Sequence, residues 1–400
     1  MPVPRSLRLT ALLTLSALGL AACGAADDGT AASSGSTTAA DASSLAQVCG
    51  DTVDVQLPWW PGVDYAFLFQ LIGSGGTVDT DDNTYSGEIA DTGVTLTLRS
   101  GGPAAGYQTG QSLAYQDDSI DLIVEAEDSQ INTAEDQPTV SVFNYYDTYP
   151  LIFLWGNEDW DFQSLADIKE SGETILAYTS GAYITALSAN GDIDIDQVDG
   201  SFDGSPSRFV AAEGNLIQQD YITTAPYLFE HETDNWDKPI QYLSLNSVYP
   251  IYGTTLQVRQ DKLESYSPCL EQLVPLVQQA AVDYAVDPGP TNDVLVDYTS
   301  QLTGISVVLS NDLLDSANAA QLKYGLVQNG SDGTFGSFDL DKVQEAIDLL
   351  VPALTEAGVS VPTDLTPDDL ATNEFLDTSI SLPDDIEIPA NDLPDDVPGL

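Results

Sequence analysis

The sequence predicts an α/β protein with two lobes, and three observations support this. Short apolar strands alternate with helices through the first two-thirds of the chain, a pattern typical of parallel-rich sheets covered by helices. The last third, after Asp261, is predicted to be mainly helical. Roughly 335 residues lie between a polar N-terminal stretch and an acidic tail, which is enough for two medium-sized hydrophobic cores.

The chain begins with the pattern of a secretory signal. Arg5 and Arg8 precede an apolar run over residues 9–20 that is too short to stay in a membrane as a spanning helix. Small residues follow, and then Cys23, a position that resembles the lipobox of bacterial lipoproteins, whose cysteine becomes the lipidated first residue. The alternative is a plain secretory signal with a chance cysteine. We expect a signal peptide over residues 1–22 and an extracytoplasmic, cell-surface protein held on the cytoplasmic membrane through acyl chains on Cys23.

Two terminal segments of the mature chain are predicted to be unstructured. Residues 23–48 are rich in Ala, Ser, Thr, Gly and Asp, which cannot bury enough apolar surface to offset their ordering entropy. They are interpreted as a flexible linker. Residues 361–400 are acidic and contain Pro-Asp-Asp at 383–385 and again at 394–396. They are interpreted as a largely disordered tail.

Acidic residues dominate the charge of the chain. It has 10 Lys and Arg against 63 Asp and Glu, and two of the basic residues belong to the signal, which leaves 8 against 63, or −55, in the mature protein. A basic face for nucleic acid cannot be built from this composition. Because the acids are spread along the chain, they indicate a solvated halophilic surface whose self-repulsion salt would screen.

The cysteine count suggests one disulfide. With Cys23 assigned to lipid, Cys49 and Cys269 are left as a pair in an oxidising location. The alternative is two free buried thiols, because sequence alone cannot supply the bonding geometry.

Alternation, apolar runs and helix signals predict the elements of the core. The predicted strands cover residues 53–57, 94–99, 120–126, 140–145, 151–155, 174–178, 218–222, 241–245 and 254–259. The predicted helices cover residues 65–72, 106–116, 183–189, 206–212, 270–286, 293–302, 311–326 and 339–357, with a further short helix capped by Ser164.

The order of several segments resembles the solute-binding lipoproteins of ABC importers, in the branch for nitrate, sulfonate, taurine and thiamine-pyrimidine-type ligands. The resemblance covers roughly residues 50–355 and rests on residues 53–61, 101–103, 118–124, 162–168, 174–182 and 209–226. It implies a periplasmic-binding-protein-like fold of type 2, with a ligand cleft between the lobes and two hinge crossovers. It also implies a discontinuous first lobe over residues 49–148 and 250–360 and a second lobe over 149–249.

Candidate binding residues follow from one rule, that ligands bind outside the carboxyl ends of strands in open α/β sheets. Trp59 and Trp60 follow the first strand and can offer flat faces to a ring or a cation. One of the two is expected to pack in the core. Asp64 and Tyr65 open the next helix, where Asp64 can serve as a cap instead of a ligand.

Further candidates lie at later turns of the first lobe. Gly101 and Gly102 allow close approach of backbone to a ligand or simply form a turn. Glu125 ends a strand and can pair with a cationic solute, or it can be one more solvated acid. Tyr145 lies near the first predicted crossover, where it lines the cleft or covers the hinge.

The second lobe contributes two predicted loops. One precedes a helix, so its N–H groups can hold a polar ligand atom, and the other resembles the second ligand loop of the family. These candidates are Ser180, Gly181, Ala182, Thr223, Thr224 and Tyr227.

The leading hypothesis is a monomeric binding protein that captures a small solute for an ABC permease and its ATPase. Trp, Tyr and carboxylate side chains favour an aromatic or N-heterocyclic solute, whereas the N–H groups at 180–182 favour an anion, and both remain open. One alternative is a signalling or adhesion lipoprotein on the same fold. The other is a pyrimidine-synthase-like enzyme, but His231 is the only histidine and no triad, zinc motif or phosphate loop occurs. No cofactor and no catalytic residue is therefore expected.

Overall fold

The computed structural model describes residues 42–179, 181–236, 238–305 and 307–400. The predicted signal peptide, Cys23 and most of the predicted linker lie outside these ranges, as does Ser180. Within them, no helix is both long and apolar enough to cross a membrane.

Twelve strands are found in the described part of the chain. In chain order they are β1 Thr52–Gln56, β2 Thr77–Asp79, β3 Thr84–Glu88, β4 Thr95–Arg99, β5 Leu122–Glu125, β6 Thr139–Tyr146, β7 Leu151–Trp155, β8 Ile175–Leu176, β9 Val198–Asp199, β10 Ile217–Tyr221, β11 Gln241–Ser244 and β12 Thr254–Arg259.

The strands form two sheets, as expected for two lobes. The first sheet has the order β2-β3-β4-β1-β5-β12-β6 and the second has the order β11-β7-β10-β8-β9. The chain passes from β6 to β7 through residues 147–150 and returns from β11 to β12 through residues 245–253, which gives the two expected crossovers.

Both sheets are mixed, although parallel-rich sheets were predicted. β1 pairs in parallel with β4 and β5, and β8 pairs in parallel with β9 and β10. The β2–β3 hairpin and the strands beside the crossovers, β6, β7, β11 and β12, pair antiparallel. The short turn between β2 and β3 reverses the chain direction, so this pair cannot be parallel.

Helices cover the sheets and extend the first lobe. They are α1 Ala42–Cys49, α2 Ala66–Ile72, α3 Gly110–Gln116, α4 Glu127–Thr133, α5 Leu165–Ser171, α6 Ala182–Ala189, α7 Ser207–Ala211, α8 Ala225–Tyr227, α9 Leu263–Val286, α10 Gly289–Gln301, α11 Asn311–Lys323, α12 Leu340–Glu356 and α13 Pro367–Leu370. α12 was expected with the first lobe, but it packs against α6 beside the second sheet as well as against α4.

The end of the predicted linker is helical, which corrects the boundary at residue 48. α1 packs on α9, and Leu45 on it is buried. The predicted disulfide between Cys49 and Cys269 is present, with 4.8 Å between the two Cα atoms. Because the bond closes a loop of 220 residues, it should stabilise the fold by about 2–4 kcal/mol.

The acidic tail is folded onto the body, which corrects the prediction of disorder. Its apolar side chains Phe375 and Leu382 are buried, with 4% and 6% of their surface exposed. Asp377 N–H donates to Gln278 Oε1 over 2.7 Å. Further on, Pro398 and Gly399 accept hydrogen bonds from Ser244 and Ser247 in and after β11. Few but well-spaced apolar residues are thus sufficient to hold an acidic segment in place.

Candidate functional site

A cavity of ≈ 310 Å³ lies between the two sheets. The loops that follow β1 and β5 line one side, and the second sheet contributes β10 and the segments after β8 and β9. The crossovers and a segment before α11 complete the wall. The lining residues are Pro58, Trp59, Trp60, Pro61, Gly62, Asp64, Tyr65, Val124, Glu125, Ala126, Tyr146, Tyr149, Pro150, Tyr178, Phe202, Gly204, Pro206, Gln219, Asp220, Tyr221, Thr224, Leu228, Gly253, Thr254, Ile305, Val307, Leu309 and Leu313.

The two tryptophans after β1 both line the cavity. Trp60 is the more buried, with 5% of its surface exposed, and its indole Nε1 has no hydrogen-bond partner in the described part of the chain. Trp59 is partly exposed and meets Tyr178 from the second lobe edge-to-face, with ring centroids 5.8 Å apart. Trp60 therefore carries an unpartnered donor within the cavity wall, and Trp59 forms a contact between the two lobes.

Gly102 positions Trp59 and does not line the cavity. Its φ of +57° favours glycine, and a Cβ atom there would stand 2.3 Å from the Trp59 ring. A Cβ atom at Gly101 would collide with the carbonyl oxygen of Leu57. The absence of a side chain at both glycines thus lets the tryptophan loop pack closely against them. Of the two interpretations that the sequence left open, this corresponds to a turn and not to backbone contact with a ligand.

Aromatic rings from the second lobe extend this wall. Tyr178 follows β8, and its ring meets Phe202 with centroids 4.9 Å apart. The Tyr178 hydroxyl is buried without a hydrogen-bond partner among the described residues. Gly204 fits beneath both rings, since a Cβ atom there would be 3.0 Å from Trp59 and 3.1 Å from the Tyr178 hydroxyl.

Three carboxyl groups line the cavity. Asp64 Oδ1 accepts a 2.8 Å hydrogen bond from the Tyr146 hydroxyl, and Glu125 Oε1 accepts a 2.7 Å bond from Gly110 N–H at the start of α3. Asp220 in β10 accepts from Tyr221 N–H over 2.9 Å. The three groups that donate these hydrogen bonds, one hydroxyl and two backbone N–H groups, are all neutral.

Burial changes the ionisation of these carboxyls. It raises the pKa of Asp64 to about 6, although the Tyr146 hydroxyl opposes the shift. It likewise raises the pKa of Glu125 to about 7 and that of Asp220 to about 6. Removal from water disfavours the charged form, and none of the cationic side chains in the described part of the chain lines the cavity to compensate.

Basic side chains are excluded from the lining of the cavity. Residues 42–400 contain eight, namely Arg99, Lys169, Arg208, Lys238, Arg259, Lys262, Lys323 and Lys342, and none of them lines it. Arg208 follows the lining residue Pro206 by two positions, but it pairs with Asp199 over 2.8 Å. The cavity is therefore negatively polarised.

The structure brings six of the predicted site residues to the cavity, namely Trp59, Trp60, Asp64, Tyr65, Glu125 and Thr224. Tyr145 is fully buried and stacks on Phe67 and Tyr146, so it supports the lining without joining it. Thr223 is buried beside Thr224.

The predicted helix-start loop and Tyr227 do not reach the cavity. Gly181 and Ala182 begin α6, and Gly181 N–H donates to the Tyr178 carbonyl. Tyr227 instead lines a second, open cavity of ≈ 900 Å³ and packs on His231. Its ring therefore belongs to another face of the second lobe, which corrects its assignment to the cleft.

Several lining residues were not predicted, although the strand-end rule points to some of them. Tyr178 ends the predicted strand 174–178, and Asp220 and Tyr221 lie inside the predicted strand 218–222. Tyr149 flanks the first crossover. By contrast, Ile305, Val307, Leu309 and Leu313 come from a segment far along the chain, and no local pattern marks them.

Two sheets, two crossovers and a cavity at their junction define the two-lobed fold of periplasmic solute-binding proteins. Solved structures share this fold. The aliphatic sulphonate binding protein SsuA from Escherichia coli is 11% identical, with a TM-score of 0.56 over 86% of this chain and 98% of that chain.

Two further solved structures are similar at comparable levels. The alkanesulfonate-binding protein SsuA from Xanthomonas axonopodis pv. citri, bound to MOPS, is 12% identical, with a TM-score of 0.52 over 80% of this chain and 98% of that chain. The ligand-binding component of an ABC-type import system from Staphylococcus aureus, with zinc bound, is 13% identical, with a TM-score of 0.50 over 81% of this chain and 97% of that chain. No protein-family model and no curated protein matches the chain. Likeness at this identity establishes the fold.

The part of the chain that the structure describes holds no group of three or more His, Cys, Asp or Glu side chains placed to bind a metal ion.

Proposed function

We propose that this protein is an extracytoplasmic, lipid-anchored solute-binding component of an ABC importer. The observation that carries the proposal is the aromatic cavity at the junction of the two sheets, with Trp59 of one lobe against Tyr178 of the other. Cavities at this position, apolar with a few convergent polar groups, are the usual ligand sites of α/β proteins. The solved structures of the same fold include binding proteins for sulfonates and a binding component of an import system.

The solute is a small molecule, and the partners are a permease and its ATPase. A cavity of ≈ 310 Å³ is at the lower end of the range for small-molecule sites. Closure of the two lobes over the solute would complete the contacts from both sheets. The protein acts as a monomer, and binding without chemical conversion accounts for the side chains present.

Gly62 offers a direct test of this function. It lines the cavity, and a Cβ atom there would stand 3.9 Å from Asp64 Oδ2, so a larger side chain begins in free space and fills the cavity. Gly62→Trp should abolish binding while the fold is kept. The matched control is Gly75→Trp, since Gly75 is exposed outside the cavity and a Cβ atom there meets nothing within 4 Å.

The measurement is a thermal-shift screen against sulfonates, nitrate, pyrimidines and amines, with mass spectrometry of any solute that co-purifies. A solute at about 100 times its Kd stabilises by about 2.7 kcal/mol. We expect one class to stabilise the native protein and the Gly75→Trp variant but not the Gly62→Trp variant. Equal stabilisation of both variants would place the ligand elsewhere. The absence of any bound or stabilising solute would contradict the proposed function.

The lipid anchor is tested separately at Cys23. Cys23→Ser should move the protein from the membrane fraction to the soluble extracytoplasmic fraction, because one lipidated cysteine would be the only attachment. Immunoblotting of both fractions measures this, with Cys269→Ser as a control for loss of a cysteine without loss of the anchor. Membrane retention of a Cys23→Ser protein whose signal has been removed would show that something else holds it.

A further inference from the structure

We infer that the solute is an organic cation with a substituted ammonium or amidinium head and a separate hydrogen-bond acceptor. This inference deepens the proposed function and rests on it, since it names the chemistry of the solute in the same cavity. It departs from the sulfonates named for two proteins of the same fold.

The first argument is charge. Asp64 and Glu125 face the cavity from the first lobe and Asp220 faces it from the second, whereas no Lys or Arg in the described ranges lines it. An anionic solute would approach three carboxyls without a counter-charge, and like charges in a desolvated site repel strongly. A cation instead supplies the counter-charge that the cavity lacks.

The second argument is the state of the carboxyl oxygens. Asp64 Oδ1 accepts a hydrogen bond from the Tyr146 hydroxyl, and the other donor recorded for this carboxyl among the described residues is the backbone N–H of Asp64 itself. Asp220 Oδ2 has only a long bond of 3.3 Å from Gln218 Nε2. Each lobe therefore presents one carboxyl oxygen with acceptor capacity left for a ligand donor.

The third argument is the aromatic wall. Trp59, Tyr178 and Phe202 form a continuous set of rings, with successive centroids 5.8 and 4.9 Å apart. Ring faces attract ammonium and guanidinium groups, and the attraction grows when the site excludes water. Carboxylates combined with such rings are suited to a cation that also carries apolar carbon.

The fourth argument concerns the rest of the solute. The Trp60 indole Nε1 is buried and unpartnered among the described residues, and it can only donate. The Tyr178 hydroxyl is also buried and unpartnered there. A buried donor without a partner is unfavourable, so a small adjustment of the Trp60 ring that brings Nε1 to the cavity surface would let it donate to an oxygen or nitrogen acceptor of the solute, away from the cationic head.

Ionisation of the three carboxyl groups that line the cavity should make binding of a cation depend on pH. The carboxyls of Asp64, Glu125 and Asp220, with pKa values raised by burial to about 6, 7 and 6, bind a cation only when deprotonated. The neighbouring tyrosines Tyr65 and Tyr146, whose pKa values burial raises further above 10, stay neutral. Affinity for a cation should therefore increase from pH 5 to pH 8.

The experiment compares solutes of matched shape and different charge by isothermal titration calorimetry at pH 8. The cationic probes are choline and 4-hydroxybenzamidine, whose hydroxyl oxygens can act as the separate acceptor. The neutral probes are 3,3-dimethylbutan-1-ol, which has the shape of choline, and 4-hydroxybenzamide, which has the shape of 4-hydroxybenzamidine. The anionic probes are N-acetyltaurine, in which the amine has become an uncharged amide, and ethanesulfonate. We expect at least one cation to bind at least about 10-fold more tightly than its neutral counterpart, as a hydrogen-bonded charge is worth about 1.5–3 kcal/mol.

Carboxyl-to-amide variants locate the effect. Asp64→Asn keeps an oxygen to accept from Tyr146, and Asp220→Asn keeps one for Tyr221 N–H. Each should weaken binding of the cationic probe by about 10- to 100-fold. Glu271→Gln, at an exposed site on α9, should leave binding unchanged. Circular dichroism and melting curves verify that the variants fold.

The outcomes separate this inference from the function beneath it. Tighter binding of the sulfonates, or equal binding of the cations and their neutral counterparts, would overturn the inference that the solute is a cation. The proposed function in solute binding would then still stand. Binding of no cation at 10 mM would also overturn it. In that case, the solute that co-purifies with the native protein but not with Gly62→Trp decides whether the proposed function stands.

Discussion

The melting temperature of the protein should fall by at least about 5 °C when the pH is raised from 5 to 8. Five carboxyl groups cause this, of which Glu125, Glu127 and Asp128 are buried and Asp64 and Asp220 are partly buried. Burial raises the pKa of Glu127 to about 8, that of Glu125 to about 7 and those of Asp64, Asp128 and Asp220 to about 6. In the unfolded chain these groups would titrate near 4.

The sign follows from proton counting. Between pH 4 and 8 the folded protein holds protons on these carboxyls that the unfolded chain has released, so unfolding releases protons and becomes easier as the pH rises. Self-repulsion among the 63 acidic residues acts in the same direction. Carboxyls with a lowered pKa, such as Asp199 beside Arg208 and Asp117 beside Ser119, titrate below this window and do not oppose the trend.

A substitution at Glu127 distinguishes the effect of buried carboxyl groups on stability from the effect of general charge repulsion. It has 3% of its surface exposed, and its Oε2 accepts a 3.0 Å hydrogen bond from Tyr252 N–H in the return crossover. Glu127→Gln keeps an oxygen for that bond and removes the ionisable group. We expect it to raise the melting temperature at pH 8 and to flatten the pH dependence.

Exposed Glu271→Gln is the matched control, since it removes the same charge from the surface. Differential scanning calorimetry from pH 5 to 8 in 1 M NaCl, which screens surface repulsion, measures both variants. If both variants show the same slope of melting temperature against pH as the native protein, burial of Glu127 does not contribute to the pH dependence of stability.

The sequence predicted the strands that enclose the site better than the edges of the fold. β1, β4, β5, β6 and β7 were predicted within a residue or two, because buried strands are short apolar runs with clear breakers. The hairpin β2–β3 was missed because Thr, Asp, Ser and Gly dominate it. α9 begins at Leu263 and includes Pro268 and Pro275, whereas prolines normally suggest a boundary.

A minority of the cavity lining could be predicted from local pattern, and the rest could not. Trp59 and Asp64 were found because they follow a strand, and Glu125 because it ends one. Asp220 lies within β10, where alternation suggests a strand but does not show which face meets the cleft. The wall near Leu309 depends on how a distant loop packs over the site, and that contact is set by tertiary structure alone.

Removal of the acidic tail should destabilise the protein by an amount on the order of 5 kcal/mol. A chain that ends at Glu374 loses Phe375 and Leu382, each nearly fully buried, and burial of such a side chain is worth about 1.5–3 kcal/mol. It also loses the bond from Asp377 N–H to Gln278, a fully buried side chain. An unpaired buried acceptor adds about 1–3 kcal/mol.

A shorter truncation provides the control. A chain that ends at Glu387 keeps these buried contacts and loses only the outer ones, such as the Lys323 Nζ bond to the Leu393 carbonyl and the pairing of Pro398 with Ser244. In 1 M NaCl, which screens the charge removed with the tail, we expect a loss of about 10 °C or more in melting temperature for the long truncation. The short truncation should lose only a few degrees. Equal melting of the Glu374 chain and the full chain would mean that the tail is disordered in solution, as its composition alone suggested.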